Sequence, residues 1–381
     1  MALAQRSDLL ALRRYPVLAL WCLFLALEPF YIMPSGLPQP GDVLVLVLVP
    51  AALFGWNRRM HRAVAPSVRA LVAFTIWVFI INYGWALIEW KWALNKAYTI
   101  FPIYYLFNLA IFLTALVLFQ RFGMLLLRLT VYVVMIDIAI QVVASIVFGV
   151  GRSRSAVFFN NANQLGYYAL LAATLISITQ RRLELSRTIA TSALLGCIYL
   201  AMISASRAAV AGIVILLVLL VFANPRIIIL ASVFAVGLVT IGGPVTTAIE
   251  NVEIRSHKQS RLGFTEERGY DRLWNFREYV PIGAGEGDVA RFVPEGVSGL
   301  EIHSSFGTVL FSYGIVGMAL FLAFLVRVGK GAGFRMTLML LPTFAHTMSH
   351  QGLRFTMLWV MLALFVALKV PAEPDSSSVA P

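Results

Sequence analysis

Charge is what this sequence has least of. Only 13% of its 381 residues are Asp, Glu, Lys or Arg, where a soluble domain has about a quarter. That excludes the two or three soluble domains this length would otherwise suggest. Cysteine is nearly absent too. Cys22 and Cys197 both lie inside apolar stretches, so neither a disulfide framework nor a cysteine metal site is expected. The formal net charge is +12, yet no compact basic tract and no nucleic-acid fold signature accompanies it, which excludes a nucleic-acid partner. No internal repeat is visible.

What the chain has is apolar sequence, 60% of it, gathered into blocks near the length of a bilayer crossing, about 20 residues. The fold class expected is all-α, a polytopic membrane protein. The apolar runs place about twelve helices, at 16–33, 42–56, 68–88, 98–119, 123–149, 160–180, 188–205, 208–223, 226–244, 304–326, 335–350 and 353–369. Arg13 and Arg14 precede the first run, but no small-residue cleavage site follows, so it reads as a retained helix. One transmembrane domain then covers 1–370, with a polar loop at 245–303 inside it and a short disordered tail at 371–381.

Loop charges give the orientation. With the N-terminus in the cytoplasm, the inner loops collect Arg58, Arg59, Arg62, Arg181, Arg182, Arg187, Arg327 and Lys330. The short outer loops keep only Lys91, Lys96, Arg152, Arg154, Arg207 and Arg354. Basic residues favour the cytoplasmic side. Both termini therefore fall inside, in a bacterial inner membrane, and the loop at 245–303 faces the periplasm. Ten of the chain's 18 acids lie in that loop. Long loops are uncommon without a function. Tyr270 to Val280 reads as a short interfacial helix with Leu273, Trp274 and Phe276 among charges, and Pro281 to Gly285 as a turn.

Several residues stand out against this background. Arg207 follows a tight Ser204-Ala205-Ser206 turn on the outer side, where the positive-inside bias disfavours arginine, and it opens a helix whose free N–H groups favour an anion. A guanidinium fork matches phosphate oxygens; a headgroup anchor is the plainer alternative. Arg152 and Arg154 form a second outer cluster, followed by Asn160, Asn161, Asn163 and Gln164 at a helix start. These read either as a polar wall for diphosphate or sugar, or as ordinary helix capping. Arg272 sits beside Trp274 in the loop helix, as a ligand or as a solvated face residue. His303 stands where the loop re-enters the membrane, and a histidine there suits a general base as well as a structural interfacial role. His346 and His350 are one turn apart, without the Glu-flanked zinc motif, so no metal is expected. Asp137 with Gln141 is an intramembrane acid pairing or a proton site.

Taken in order, Asn163-Gln164-Leu165-Gly166, Ser206-Arg207-Ala208, Arg272-Leu273-Trp274, Pro281-Ile282-Gly283-Ala284-Gly285, His303 and Tyr313-Gly314-Ile315-Val316-Gly317 resemble the O-antigen ligase and polymerase superfamily. The resemblance covers about residues 140–330. It implies an integral-membrane glycosyltransferase of the GT-C fold type, with a glycan on undecaprenyl diphosphate as donor. The acceptor is a saccharide for a polymerase or lipid A-core for a ligase, and a chain-length regulator is a further partner. It implies Arg207 and Arg272 as diphosphate ligands and His303 as the base on the acceptor hydroxyl, with no metal and no cofactor. Arg152 and Arg154 join the expected diphosphate-binding set; Asn160, Asn163, Gln164, Trp274 and Glu286 form the expected substrate-binding set. Where the family often has Asn after the histidine, this chain has Ser304. The rival class is a lipid-linked glycan flippase, which favours charges and broken helices at the bilayer midplane. Here the polar residues gather outside, which favours glycosyl transfer; within it, a compact chain with nothing marking a lipid A-core site makes polymerisation of repeat units the leading expectation.

Overall fold

The computed structural model describes residues 15–34, 37–54, 56, 59–89, 96–149, 154–223, 265, 268–292 and 301–370. The helix expected at 226–244, Arg152, most of the outer loop and the tail at 371–381 lie outside the described residues. Among the described residues the chain is helical and has no strand. In chain order the helices are α1 Pro16–Leu27, α2 Pro40–Leu53, α3 Ala65–Ile88, α4 Lys96–Phe122, α5 Met124–Val147, α6 Ala162–Thr179, α7 Arg187–Ile203, α8 Arg207–Ala223, α9 Arg272–Asn275, α10 Ser305–Gly329, α11 Phe334–Leu338, α12 Leu341–Ser349 and α13 Thr356–Ala367.

The local sequence sets these ends. Proline occupies the first turn of α1, α2, α3 and α12, where its missing N–H costs nothing. Asn161 and Gln164 close a reciprocal capping box on α6, at 3.0 and 3.2 Å. Ser304 caps α10 by accepting from the Gly307 N–H at 3.1 Å. Serine and asparagine are equivalent caps, so Ser304 meets the local requirement that an asparagine would meet.

Three expectations need correction. The first helix stops at Leu27, with Glu28 as its cap. The run at 335–350 divides into α11 and α12 around Met339 and Leu340. Tyr270 to Val280 is no single amphipathic helix: α9 ends at Phe276, whose φ of −129° and ψ of 48° leave the helical region, and a 3-10 turn follows at Arg277–Tyr279.

Among the described residues, four helical stretches are long and apolar enough to cross a bilayer: α3, Tyr98–Phe122 of α4, α5 and α10. Five more apolar helices are shorter. One of them, α13, has 12 residues, about 18 Å at 1.5 Å per residue, and every one of them is buried. All of α6 from Leu165 to Thr179 is buried as well. These two helices form the centre. The helix α4 packs on α13, α7 and α8 pack on α6, and α3 pairs with α10. The outward residues are apolar: Ile76 and Ile80 on α3, Ile136, Val143 and Ile146 on α5, and Ile315 on α10 are all more than half exposed. An apolar core wrapped in an apolar surface is the arrangement a lipid environment stabilises.

Candidate functional site

The site is built on a break in α10. Gly314 has φ +70° and ψ −172°, outside the helical region. A break in an apolar helix frees carbonyls that need new donors. The Pro281–Gly285 turn supplies them. Ala284 N–H donates to the Phe311 carbonyl and Gly285 N–H to that of Ser312, both at 2.9 Å, while Ile315 N–H turns to the Val280 carbonyl at 3.0 Å. Trp77 Nε1 donates to the Tyr313 carbonyl and Trp85 Nε1 to the Gly283 carbonyl, each at 2.8 Å. Two glycine motifs about thirty residues apart thus clasp each other, and the loop is seated against the membrane helices.

Arg291 fastens the same loop. Its Nη2 donates to the Ala284 carbonyl at 2.6 Å, and its Nη1 pairs with Glu89 of the α3 end at 2.9 Å. Its guanidinium lies 4.7 to 5.4 Å from the rings of Phe292, Tyr98 and Trp85.

Seating the turn delivers Glu286 into the bundle. Its side chain is 6% exposed. Asn82 of α3 clamps its backbone from both sides, accepting from Glu286 N–H and donating to Glu286 O, each at 3.0 Å. The Glu286 carboxylate accepts from Tyr313 at 2.7 Å and Tyr105 at 3.1 Å, and is paired with Arg354. Arg354 also pairs with Glu301 at 2.9 Å. Buried charges persist only when paired and hydrogen-bonded, and this network satisfies both conditions.

Beside the network opens a cleft of about 360 Å³ of empty volume, counting its mouth. Arg272, Glu286, Asp288, Glu301, Gln351 and Arg354 line it. Arg272 is buried, at 7% exposure. Burial lowers its pKa from the ordinary guanidinium value, against the opposing pull of Asp271 and Glu301. A desolvated guanidinium gains most from an anionic partner.

His303, half-buried, follows Glu301 and Ile302, which line the cleft, and is not itself a lining residue. Its N–H donates to the Arg268 carbonyl at 2.9 Å, and its Nδ1 lies 2.7 Å from the Glu301 carbonyl. A carbonyl only accepts, so Nδ1 carries hydrogen and, in the neutral ring, Nε2 carries the lone pair.

A second polar cluster gathers at the outer end of α6. Arg154 donates to the Ser204 carbonyl at 3.0 Å and to Asn163. Gly166 packs on the Ser204–Ala209 turn, where a Cβ would meet Ser204 Oγ at 2.6 Å and Ala209 Cβ at 2.8 Å. Ala205 holds a left-handed φ of +46° there. Arg207 follows this turn and is exposed. No family model matches this chain, and no curated protein does.

The structure therefore joins Arg272 with Glu286 in the cleft, and Arg154 with Asn163 at α6. Neither Arg207 nor Arg154 is among the residues that line the cleft. Gln164 is occupied in capping, Asn160 donates to the Met33 carbonyl at 2.8 Å, and Trp274 is 57% exposed and does not line the cleft. Asp137 accepts from Tyr168 at 3.2 Å, the structural pairing, and His346 stacks on Tyr167 at 4.2 Å. The sequence counts Arg354 among the outer charges without a role, gives Tyr313 only as the first residue of the Tyr313–Gly317 motif, and singles out neither Tyr105 nor Asn82. Arg354 carried the same signal that singled out Arg207, an arginine on the side the positive-inside bias disfavours. The tyrosines sit in apolar runs that give no sign of a polar task.

Proposed function

We propose that this chain is a bacterial inner-membrane glycosyltransferase of about twelve spans. In this reading both termini are cytoplasmic and the cleft is periplasmic. It moves a glycan from undecaprenyl diphosphate to a saccharide acceptor and so polymerises repeat units. The observation that carries the reading is the pairing of a lone-pair Nε2 on His303 with a neighbouring cleft that holds a buried, desolvated Arg272.

The chemistry follows from those groups. The acceptor hydroxyl oxygen attacks the anomeric carbon, and its proton passes to His303 Nε2 as the new C–O bond forms. The old bond from the anomeric carbon to the diphosphate oxygen breaks, and its electron pair leaves with the diphosphate. Arg272, itself buried, neutralises the charge that grows on that oxygen. Arg207, Arg154 and Arg152 serve the donor's charged head on the outer side. The imidazolium then loses its proton to water. The position of His303, half-buried beside a polar cleft and an apolar bundle, suits a lipid donor and a water-soluble acceptor together.

The test is deletion of the gene followed by electrophoresis of surface glycans and restoration with the wild-type chain. Glycans shortened to a single repeat support polymerisation. Full-length polymer no longer attached to lipid A-core makes the chain a ligase. An unchanged glycan pattern rejects glycosyl transfer.

A further inference from the structure

We infer that the Ser349–Arg354 turn, between α12 and α13, is the cradle that positions His303, with Arg354 as its charged member. This rests on the reading of His303 as the base.

Three successive residues at the edge of the outer loop are each tied to that turn. His303 N–H donates to the Arg268 carbonyl at 2.9 Å, and Arg268 Nη1 donates to the Ser349 carbonyl at 2.8 Å. The Ile302 carbonyl accepts from Thr308 Oγ1 at 3.2 Å, and Thr308 Oγ1 accepts in turn from Gln351. The Glu301 carboxylate takes Arg354 Nη1 at 2.9 Å. Glu301 is the residue that matters most, because it faces both ways. Its side chain is held by Arg354, and its main-chain carbonyl holds His303 Nδ1 at 2.7 Å.

The two ends of Arg354 differ. Toward the bundle it meets Glu286, fixed by Tyr105, Tyr313 and Asn82, and its guanidinium lies 4.2 Å over the Phe101 ring. Toward the rim it meets Glu301, whose side chain is 38% exposed. Arg354 thus carries the fixed geometry of the bundle out to a loop edge that water reaches. The result is a fixed tautomer. As long as the Glu301 carbonyl stays in place, hydrogen sits on Nδ1 and Nε2 faces the acceptor as the base. Losing that constraint lets the ring turn or exchange tautomers, and the hydroxyl then meets a nitrogen with no lone pair. Arg354 and Glu301 touch neither reacting atom in this account; they are positioning residues.

Glu301→Gln is the decisive variant, because it leaves the buried Arg354–Glu286 pair intact. Arg354→Lys is the second; it keeps a charge for Glu286 and loses the fork. Purified full-length chain is given lipid-linked oligosaccharides extracted from its host lacking the gene. With turnover normalised to folded protein, both variants lose roughly 10- to 100-fold in kcat, the scale of a misplaced catalytic group, at unchanged KM for the donor. In parallel, the ¹⁵N imidazole signal of His303, picked from the 5 histidines by its loss in His303→Ala, reports one tautomer in the wild type and a mixture in the variants. Wild-type kcat in Glu301→Gln, or a single unchanged tautomer in both variants, overturns the cradle. If the wild-type chain itself transfers no glycan, the glycosyl-transfer reading fails, and the tautomer measurement still decides whether this turn orients His303.

Discussion

Gly314 is pressed against the main chain of Ile282: a Cβ on Gly314 would lie 2.4 Å from the Ile282 carbonyl carbon and 2.5 Å from its oxygen. This contact is where a membrane helix accepts a loop in place of its own hydrogen bonds. Gly283 shows the same closeness from the loop side, with φ +113° and 2.5 Å between a built Cβ and the Ser312 carbonyl oxygen. Each position needs both an unusual backbone and an absent side chain.

Gly314→Ala and Gly283→Ala are therefore expected to destabilise the protein, each by at least the roughly 1–3 kcal/mol that strained backbone costs, read as a lower thermal midpoint in detergent. Gly84, near the C-terminal end of α3 with nothing within 4 Å of a built Cβ, is the control. Gly84→Ala should leave stability unchanged or raise it by up to about 1 kcal/mol. Equal midpoints for all three variants would remove the clasp as a structural element.

The Glu286–Arg354 pair allows a sharper energetic test. Removing one partner of a buried pair costs about 3–5 kcal/mol, because the other charge is left buried alone. Arg354→Met should destabilise strongly, and the double variant Arg354→Met with Glu286→Gln should recover much of that loss. Denaturation of the four proteins in the cycle gives the coupling energy. A coupling near zero would mean that the hydroxyls of Tyr105 and Tyr313 stabilise the Glu286 carboxylate without Arg354.

Arg272 and Arg207 occupy different surroundings, and the same substitution should separate them. Arg272 is buried in the cleft, so Arg272→Lys, which keeps charge and loses the planar fork, should cut transfer strongly. Arg207 is exposed on its turn, and a diphosphate role predicts that Arg207→Lys chiefly raises the KM for the donor. Wild-type kinetics for Arg207→Lys would leave it a headgroup anchor.

Most helices were legible because a lipid environment imposes long apolar runs that local sequence reports directly; α3, α5 and α10 fall within a few residues of the expected spans. The first helix was overextended because Tyr31 and Ile32 are apolar enough to continue the run, while Glu28 and Pro29 end it. The break in α10 was not legible as a break. Gly314 stands in an apolar run, and its geometry depends on a turn about thirty residues earlier in the chain. The glycines of both motifs were visible, but not that they meet. The candidate base stands out because histidine is scarce, with 5 in the chain, and Arg272 because it heads the Arg272-Leu273-Trp274 stretch of the polar loop. Glu286 was found as a loop acid, whereas its partners Tyr105 and Asn82 come from helices where an isolated polar residue has many ordinary uses.

His303 carries the central prediction. Its Nδ1 is committed to the Glu301 carbonyl, so the function of the ring lies with Nε2. A positioned base contributes roughly 10² to 10⁴ in rate. His303→Ala should reduce kcat by about that factor, while folded yield and binding of the lipid-linked donor stay near wild type. His303→Gln is a useful companion: it can fill the space and still hydrogen-bond, yet it cannot take up a proton, so it should be as impaired as alanine. A structural histidine gives the opposite pattern: less folded protein, normal turnover per folded molecule, and rescue by glutamine. Measuring folded yield and kcat per folded molecule for the three proteins tells these outcomes apart.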